Sequence, residues 1–127
     1  IELGLVGSEM CIRDRDGGWA SFMLSHYVRE AGVFTLPQAI KKMTADPAAV
    51  IGLKDRGILK TGMKADINVF SPEDVTELQP ILVNDFPDEA PRYIQKSRGF
   101  KATIVNGHVN VLDGEPTGAR AGQVLRH

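Results

Sequence analysis

The sequence predicts a mixed α/β chain, with helices first and strands after, divided near Gly57. Two patterns predict it. Apolar residues recur at helical spacing between Phe22 and Ile51, then alternate at strand spacing from Ala65 onward. The stretch between them, Gly57–Val69 (Gly-Ile-Leu-Lys-Thr-Gly-Met-Lys-Ala-Asp-Ile-Asn-Val), reads as a turn at Gly62 feeding a strand. In that strand Ala65, Ile67 and Val69 alternate with Asp66 and Asn68, the period of a half-buried strand.

The helices are justified by their ends as much as by their faces. Asp16-Gly17-Gly18-Trp19 is a turn signal, and Ser21 is the expected N-cap of a helix over Phe22–Ala31. There Met23 pairs with Tyr27 and Leu24 with Val28 at i,i+4, Arg29 lies in the last turn, and Gly32 follows as the C′ residue. A second helix opens with Thr35 as N-cap and Pro37 in its first turn. Leu36, Ala39, Ile40 and Met43 form its apolar stripe, while Gln38, Lys41 and Lys42 face solvent. A short third helix has Asp46 as N-cap and Pro47 at its first position, and it stops at Gly52. Each helix has one apolar face only and requires a partner surface.

Beyond the Ala65–Phe70 strand, Ser71-Pro72-Glu73-Asp74 and the prolines at 80, 87 and 91 predict a long loop, with a short strand at Ile81–Val83. A hairpin is expected over Phe100–Leu112 around Asn106-Gly107, the preferred two-residue type I′ turn. Counting outward pairs Val105 with His108, Ile104 with Val109, Thr103 with Asn110 and Ala102 with Val111. That register puts Ala102, Ile104, Val109 and Val111 on one face. Asp113-Gly114 then turns the chain into a glycine-rich tail.

Composition bounds the function. A chain of 127 residues with 43% hydrophobic and 24% charged residues can build one modest core. A net charge of -1 gives no electrostatic case for nucleic acid or an anionic membrane, and 6% aromatic residues leave little for base stacking. No apolar run reaches the roughly 20 residues that span a bilayer, and no signal-peptide pattern opens the chain. The single Cys11 excludes an internal disulfide framework and any multi-cysteine metal site, so a reducing, cytoplasmic setting is expected. Val6–Arg15 (Val-Gly-Ser-Glu-Met-Cys-Ile-Arg-Asp-Arg) resembles the translation of sequencing-adapter read-through. Residues 1–15 are therefore expected to be non-native and Cys11 to carry no functional meaning. The alternative is a genuine strand in which Ile1, Leu3 and Leu5 alternate.

The inventory of chemical groups is short. His26, His108 and His127 lie outside metal-ligand spacing of one another, and neither His-x-His nor His-Glu-x-x-His occurs. His26 is expected to pack or face solvent on its helix, with a site-lining role as the competing reading; His108 sits at a hairpin turn. Asp16-Gly17-Gly18 reads first as a capping turn and second as an active-site turn. Asp66 reads as a structural hydrogen-bonding residue. Gly17-Gly18 is not a phosphate loop, and no serine sits in a Gly-x-Ser-x-Gly elbow. On this inventory no residue of the chain is assigned as catalytic or metal-binding.

Several blocks, taken in order, carry a resemblance. They are Asp16-Gly17-Gly18-Trp19-Ala20-Ser21-Phe22-Met23-Leu24-Ser25-His26-Tyr27, then Leu36–Gly52 followed by Leu53-Lys54-Asp55-Arg56-Gly57, then Gly62–Phe70, Thr103–Gly107 and Asp113–Gly122. In this order and spacing they resemble the C-terminal end of the N-acyl-D-amino-acid deacylase (D-aminoacylase) family of amidohydrolases. The resemblance implies a metal-dependent hydrolase: a (β/α)8 barrel followed by a small β-sandwich built from both chain ends. It further implies that zinc activates water to hydrolyse the amide of N-acyl-D-amino acids, with a strand-end Asp as general base. By that resemblance residues 16–56 are the last helices of the barrel and 57–127 the C-terminal β-domain.

The zinc ligands and the Ser-Asp-x-Gly-x-His-like motif of the catalytic Asp would lie upstream of every matching block, so neither role passes to Asp16. Asp16, Trp19 and His26 are the residues expected beside the active site. Zinc belongs to the intact parent and is not expected to bind this chain alone. Two other readings stay open: a fragment of a dihydroorotase-like or hydantoinase-like cyclic-amide hydrolase, and a free-standing β-module for binding or oligomerisation. The Thr117-Gly118-Ala119-Arg120 tail favours the D-aminoacylase side.

Overall fold

The computed structural model describes residues 18–125. The segment 1–15 with Cys11, the Asp16-Gly17 part of the first turn, and His127 lie outside the described residues. Helices precede strands, as the patterning predicts. Helix α1 (Trp19–Phe22) runs directly into a π-helical segment, Met23–Glu30; α2 (Leu36–Met43) and α3 (Ala45–Val50) follow. The strands are β1 (Ile67–Phe70), β2 (Thr76–Glu77), β3 (Ile81–Val83), β4 (Arg92–Ile94), β5 (Ser97–Arg98), β6 (Phe100–Val105), β7 (His108–Leu112) and β8 (Glu115–Pro116). They form a four-stranded antiparallel sheet, β1-β6-β7-β8, and two separate ribbons, β2-β5 and β3-β4. No helix among the described residues is long and apolar enough to cross a membrane.

The first helix corrects the sequence reading. It begins at Trp19, with Gly18 at the N-cap, so Ser21 is not a cap. Ser21 instead joins Leu24 and Ser25 on the buried face, where all three are nearly inaccessible. The wide π turn closes when the Ala31 N–H donates to the His26 carbonyl at 2.8 Å, five residues back. Pairs at i,i+4 therefore do not define the face: Tyr27 is exposed although its expected partner Met23 is half-buried. Gly32 does end the helix, in the left-handed conformation at φ 60°.

Helix α2 matches expectation. Thr35 precedes it, and Gln38 Oε1 accepts from the Thr35 N–H at 2.9 Å. Ala39 is fully buried and Leu36, Ile40 and Met43 flank it, while Gln38, Lys41 and Lys42 are exposed. At α3 the N-cap is Thr44, not Asp46. Thr44 ends one helix and starts the next, its hydroxyl donating back to the Ile40 carbonyl at 2.7 Å. That shift places Asp46 inside the first turn, where it pairs with Lys41.

The strand region holds two further corrections. The β1 alternation fails at its end: a bulge between Val69 and Phe70 leaves Val69 45% exposed and turns Phe70 inward against Phe100. The main hairpin has its expected turn, with Asn106 at φ 48° and Gly107 at φ 81°, and its first two pairs, Val105–His108 and Ile104–Val109, are as counted. A second bulge then skips Asn110, so Thr103 pairs with Val111 and Ala102 with Leu112. The skipped residue is engaged elsewhere: its carbonyl accepts from the Thr117 N–H at 2.9 Å as β8 folds back after Asp113-Gly114. The strand at Ile81–Val83 is present and pairs with β4, so much of the expected long loop is ribbon.

One junction ties helices to strands. Val75 is 0% exposed, and a Cβ at Gly99 would lie 2.5 Å from the Val75 backbone N and Cα. Gly99 has φ 88°, and its carbonyl accepts from the Ser71 N–H at 2.9 Å. Arg29 reaches over from the π segment, its Nη1 donating to the Val75 carbonyl at 2.8 Å and the Pro72 carbonyl at 3.1 Å. Ser25 Oγ donates to Glu77 Oε2 at 2.9 Å.

Position 99 combines left-handed backbone with backbone-to-backbone contact, so Gly99→Ala is expected to cost about 2–4 kcal/mol. Urea unfolding of the 127-residue chain measures this; a loss below about 0.5 kcal/mol would show that the close approach is not required.

Candidate functional site

Two of the residues expected beside an active site, Trp19 and His26, stand on consecutive segments of the first helix. Asp16 lies outside the described residues. Trp19, the first residue of α1, is 53% exposed. His26 stands on the π segment, its ring stacked on Phe22 at 4.9 Å and 14° and edge-on to Tyr27 at 5.3 Å. Its Nδ1 is 3.0 Å from Glu30 Oε2. Among the described residues no ring contact or hydrogen bond joins Trp19 to His26.

A second arrangement was not legible in sequence. The tail returns beside the Asn106-Gly107 turn and leaves an open cleft of about 570 Å³ lined by Lys64, Ala65, Asn106, His108, Arg120 and Gln123, among others. Asn106 Nδ2 donates to the Ala121 carbonyl at 2.7 Å, which docks the tail, while its Oδ1 is buried without a partner among the described residues. The cleft offers donors and positive charge, and among the described residues no acid lines it. Asn106 is chosen by its turn conformation, so the sequence pattern explains the turn and conceals the docking role.

Asp66 behaves as the structural residue the sequence suggests. Its Oδ1 accepts from the Asn106 N–H at 2.8 Å and its Oδ2 from Arg56 Nη1 at 2.9 Å. Arg56 Nε also donates to Asp55 Oδ1 at 3.2 Å, and this bond holds the Asp55 carboxyl below its usual range while raising the guanidinium. The Lys64 N–H donates to the Asp55 carbonyl and the Gly107 N–H to the Ala65 carbonyl, at 2.7 and 2.9 Å. The junction motif is thus a clamp: the exit from the helices, the entry to β1 and the hairpin turn are fixed to each other through one carboxylate.

A catalytic zinc takes three protein ligands and an open position. Among the described residues no group of three or more His, Cys, Asp or Glu side chains is placed to hold a metal. His26 and His108 sit on different elements, and His26 is paired with the single carboxylate of Glu30. Among the described residues the donor set does not fit a hydrolytic metal.

The comparisons with known proteins decide the ancestry. A model described as "Amidohydrolase family" matches residues 11–111, which is most of the chain. The chain belongs to this amidohydrolase family. The match reaches back five residues into the segment set aside as non-native on sequence grounds. The N-acyl-D-aspartate deacylase of Alcaligenes xylosoxydans xylosoxydans is 44% identical over 110 residues, covering 84% of this chain and 20% of that protein. A dihydroorotase of Lactobacillus delbrueckii subsp. bulgaricus is 34% identical over 113 residues, covering 88% of this chain and 25% of that protein.

Among solved structures, D-aminoacylase has a TM-score of 0.67 at 33% identity, covering 87% of this chain and 21% of that one. The N-acyl-D-glutamate deacylase of Bordetella bronchiseptica, solved with zinc and a phosphonate inhibitor, has a TM-score of 0.64 at 36% identity. It too covers 87% of this chain and 21% of that one. The chain therefore spans about a fifth to a quarter of the length of these relatives, as a mixed α/β portion of an amide-hydrolysing enzyme family.

Two outcomes test the clamp and the ion pair at the β3-β4 ribbon. Asp66→Ala strips acceptors from a backbone N–H and from a guanidinium, and is expected to cost about 1–3 kcal/mol in urea unfolding. Asp85 is held below its usual range by hydrogen bonds from Arg92, at 2.6 Å from Nε and 2.5 Å from Nη2. Its folded carboxyl therefore titrates below the unfolded one, so its contribution is present above the ordinary carboxylate range and is lost as pH falls through the depressed folded value. The stability difference between the chain and Asp85→Asn should shrink over that acid window and hold constant above it; a difference that grows on acidification would reverse the assignment.

Proposed function

We propose that the chain is the C-terminal portion of a zinc-dependent amidohydrolase that hydrolyses the amide bond of N-acyl-D-amino acids, and that it is inactive alone. In this reading residues 16–56 are terminal helices of the catalytic barrel, 57–127 belong to the small β-sandwich domain, and residues 1–15 are non-native. The observation that carries the reading is the 44% identity to an N-acyl-D-aspartate deacylase across 84% of the chain. The likeness in shape to D-aminoacylase supports it. In such a parent, zinc would polarise the amide carbonyl and activate water, with ligands supplied by the remaining four-fifths. This chain's own residues serve the architecture: the Arg56–Asp66–Asn106 clamp fixes the β-region to the helices, and Ser25 and Arg29 fix the first helix to the strands.

A second reading, a cyclic-amide hydrolase, has the dihydroorotase match behind it. The two separate in chimaeras. Replacing the matching part of the Alcaligenes N-acyl-D-aspartate deacylase by residues 16–127 is expected to preserve zinc binding and hydrolysis of N-acetyl-D-aspartate. The equivalent dihydroorotase chimaera is expected to be inactive. Activity only in the dihydroorotase chimaera would reverse the order. The isolated chain is expected to take up no stoichiometric zinc and to turn over neither N-acetyl-D-aspartate nor dihydroorotate; zinc uptake with turnover would overturn the claim that it is inactive alone.

A further inference from the structure

Asn106 and Gly107, the two residues of the hairpin turn, carry a chemistry of their own. A glycine nitrogen has no side chain beside it to hinder attack on the preceding asparagine amide. A bond from Gly107 N to Asn106 Cγ closes a cyclic imide and expels Nδ2 as ammonia, which carries away the Gly107 amide proton. Water then opens the imide to aspartate or isoaspartate. The folded chain ties up the atoms that this reaction uses. The Gly107 N–H donates to the Ala65 carbonyl at 2.9 Å, which holds the proton of the nucleophile. Nδ2, the leaving group, donates to the Ala121 carbonyl at 2.7 Å. Oδ1 is buried without a partner among the described residues, so negative charge developing on it during attack would meet no donor. The weakest of these restraints is the tail. Residues 118–125 form no helix or strand, and among the described residues the Asn106–Ala121 bond is the one hydrogen bond that joins them to the body of the chain. A tether of one neutral hydrogen bond opens far more often than the fold itself unfolds.

We propose that Asn106 is a deamidation site gated by the tail. It reacts slowly while residues 118–125 are docked on it, reacts readily once they lift away, and no longer docks them once converted. The inference rests on this turn and its contacts and is independent of which amide the parent hydrolyses. Conversion exchanges the donor Nδ2 for a carboxylate oxygen, so two acceptors face each other across the former 2.7 Å bond. The new charge also stands on the residue whose N–H already binds the Asp66 carboxylate. Lys64 and Arg120 line the same cleft and attract that charge, but both are exposed and solvent screens them. The isoaspartate product goes further. It runs the backbone through the former side chain and adds a carbon to a two-residue turn, which moves the Gly107 N–H off the Ala65 carbonyl.

The experiment incubates the full 127-residue chain in warm, mildly alkaline buffer and follows aspartate and isoaspartate at position 106 by peptide mapping and mass spectrometry. A synthetic peptide of residues 103–109 sets the unrestrained rate. Conversion in the chain is expected to be at least about tenfold slower than in the peptide. In Ala121→Asp, where a charge at the half-buried docking residue lifts the tail, it is expected to be at least about threefold faster than in the unaltered chain. A chain ending at Thr117, which lacks the docked carbonyl, is expected to match Ala121→Asp and replaces it if that variant loses its folded circular dichroism. Docking itself is read by trypsin cleavage after the exposed Arg120. That cleavage is expected to be at least about threefold faster in Asn106→Asp than in the unaltered chain, with the circular dichroism unchanged. Conversion as fast in the chain as in the peptide overturns the gate. An unchanged rate in both tail variants overturns the tail as its cause. Unaltered cleavage of Asn106→Asp overturns the release of the tail by conversion.

Discussion

The contact between the backbones of Gly99 and Val75 is the constraint on which the rest depends. It brings two segments more than twenty residues apart to a separation that admits no side chain at position 99. Val75 is thereby sealed from solvent and its carbonyl presented to Arg29. The β2-β5 ribbon forms on one side of this crossing, and the Phe70–Phe100 contact at the end of the main sheet forms on the other. The first helix is attached at the same place through Ser25 and Glu77. A buried hydroxyl donating to a carboxylate is a strong bond when made and a costly one to lose, so it orients the helix as well as holding it.

A second fixed point, the Asp66 carboxylate, governs the other end of the sheet. One side chain satisfies the turn N–H of Asn106 and a guanidinium from the end of the helical part. The two points divide the work: Gly99–Val75 joins the first helix to the ribbons, and Asp66 joins the helical exit to the hairpin. Between them the chain is fixed at its joints and sparsely filled in its core, with Leu24, Ala39, Ala48 and Val75 as the buried apolar residues among those described. Val50, Ile51, Ile58 and Leu59 stay exposed at the end of α3 and on the following loop.

This division also explains why the chain shows a family without showing a reaction. Two of the stretches that carry the sequence resemblance, Gly62–Phe70 and Thr103–Gly107, act as joints through Asp66 and Asn106, and joints serve every member of a fold irrespective of substrate. The chemistry of amide hydrolysis requires converging metal ligands and a base, whereas the described side chains here converge on hydrogen bonds that hold backbone to backbone.

Much of this was legible in the sequence because it depends on local chemistry. Thr35 with Gln38 fixes the start of α2, Gly32 and Gly52 end helices at positive φ, Asn106-Gly107 sets the hairpin turn, and Asp66 takes a structural role. Trp19 and His26, the described residues expected beside an active site, stand on the first helix, where His26 stacks on Phe22 and lies against Glu30. The bulges at Val69 and Asn110, the burial of Ser21 and Ser25, and the docking of the tail on Asn106 were decided by tertiary contacts alone. Each depends on a partner many residues away (Phe100, Thr117, Glu77 or Ala121), and a local period carries no information about when a distant group claims a donor or acceptor. The sequence by itself determined the order of helices and strands and the turns between them, because φ preferences and apolar spacing act over a few residues. Only the tertiary structure decided register beyond those turns and which polar groups are buried, because both are settled by hydrogen-bond partners that meet after the chain has folded.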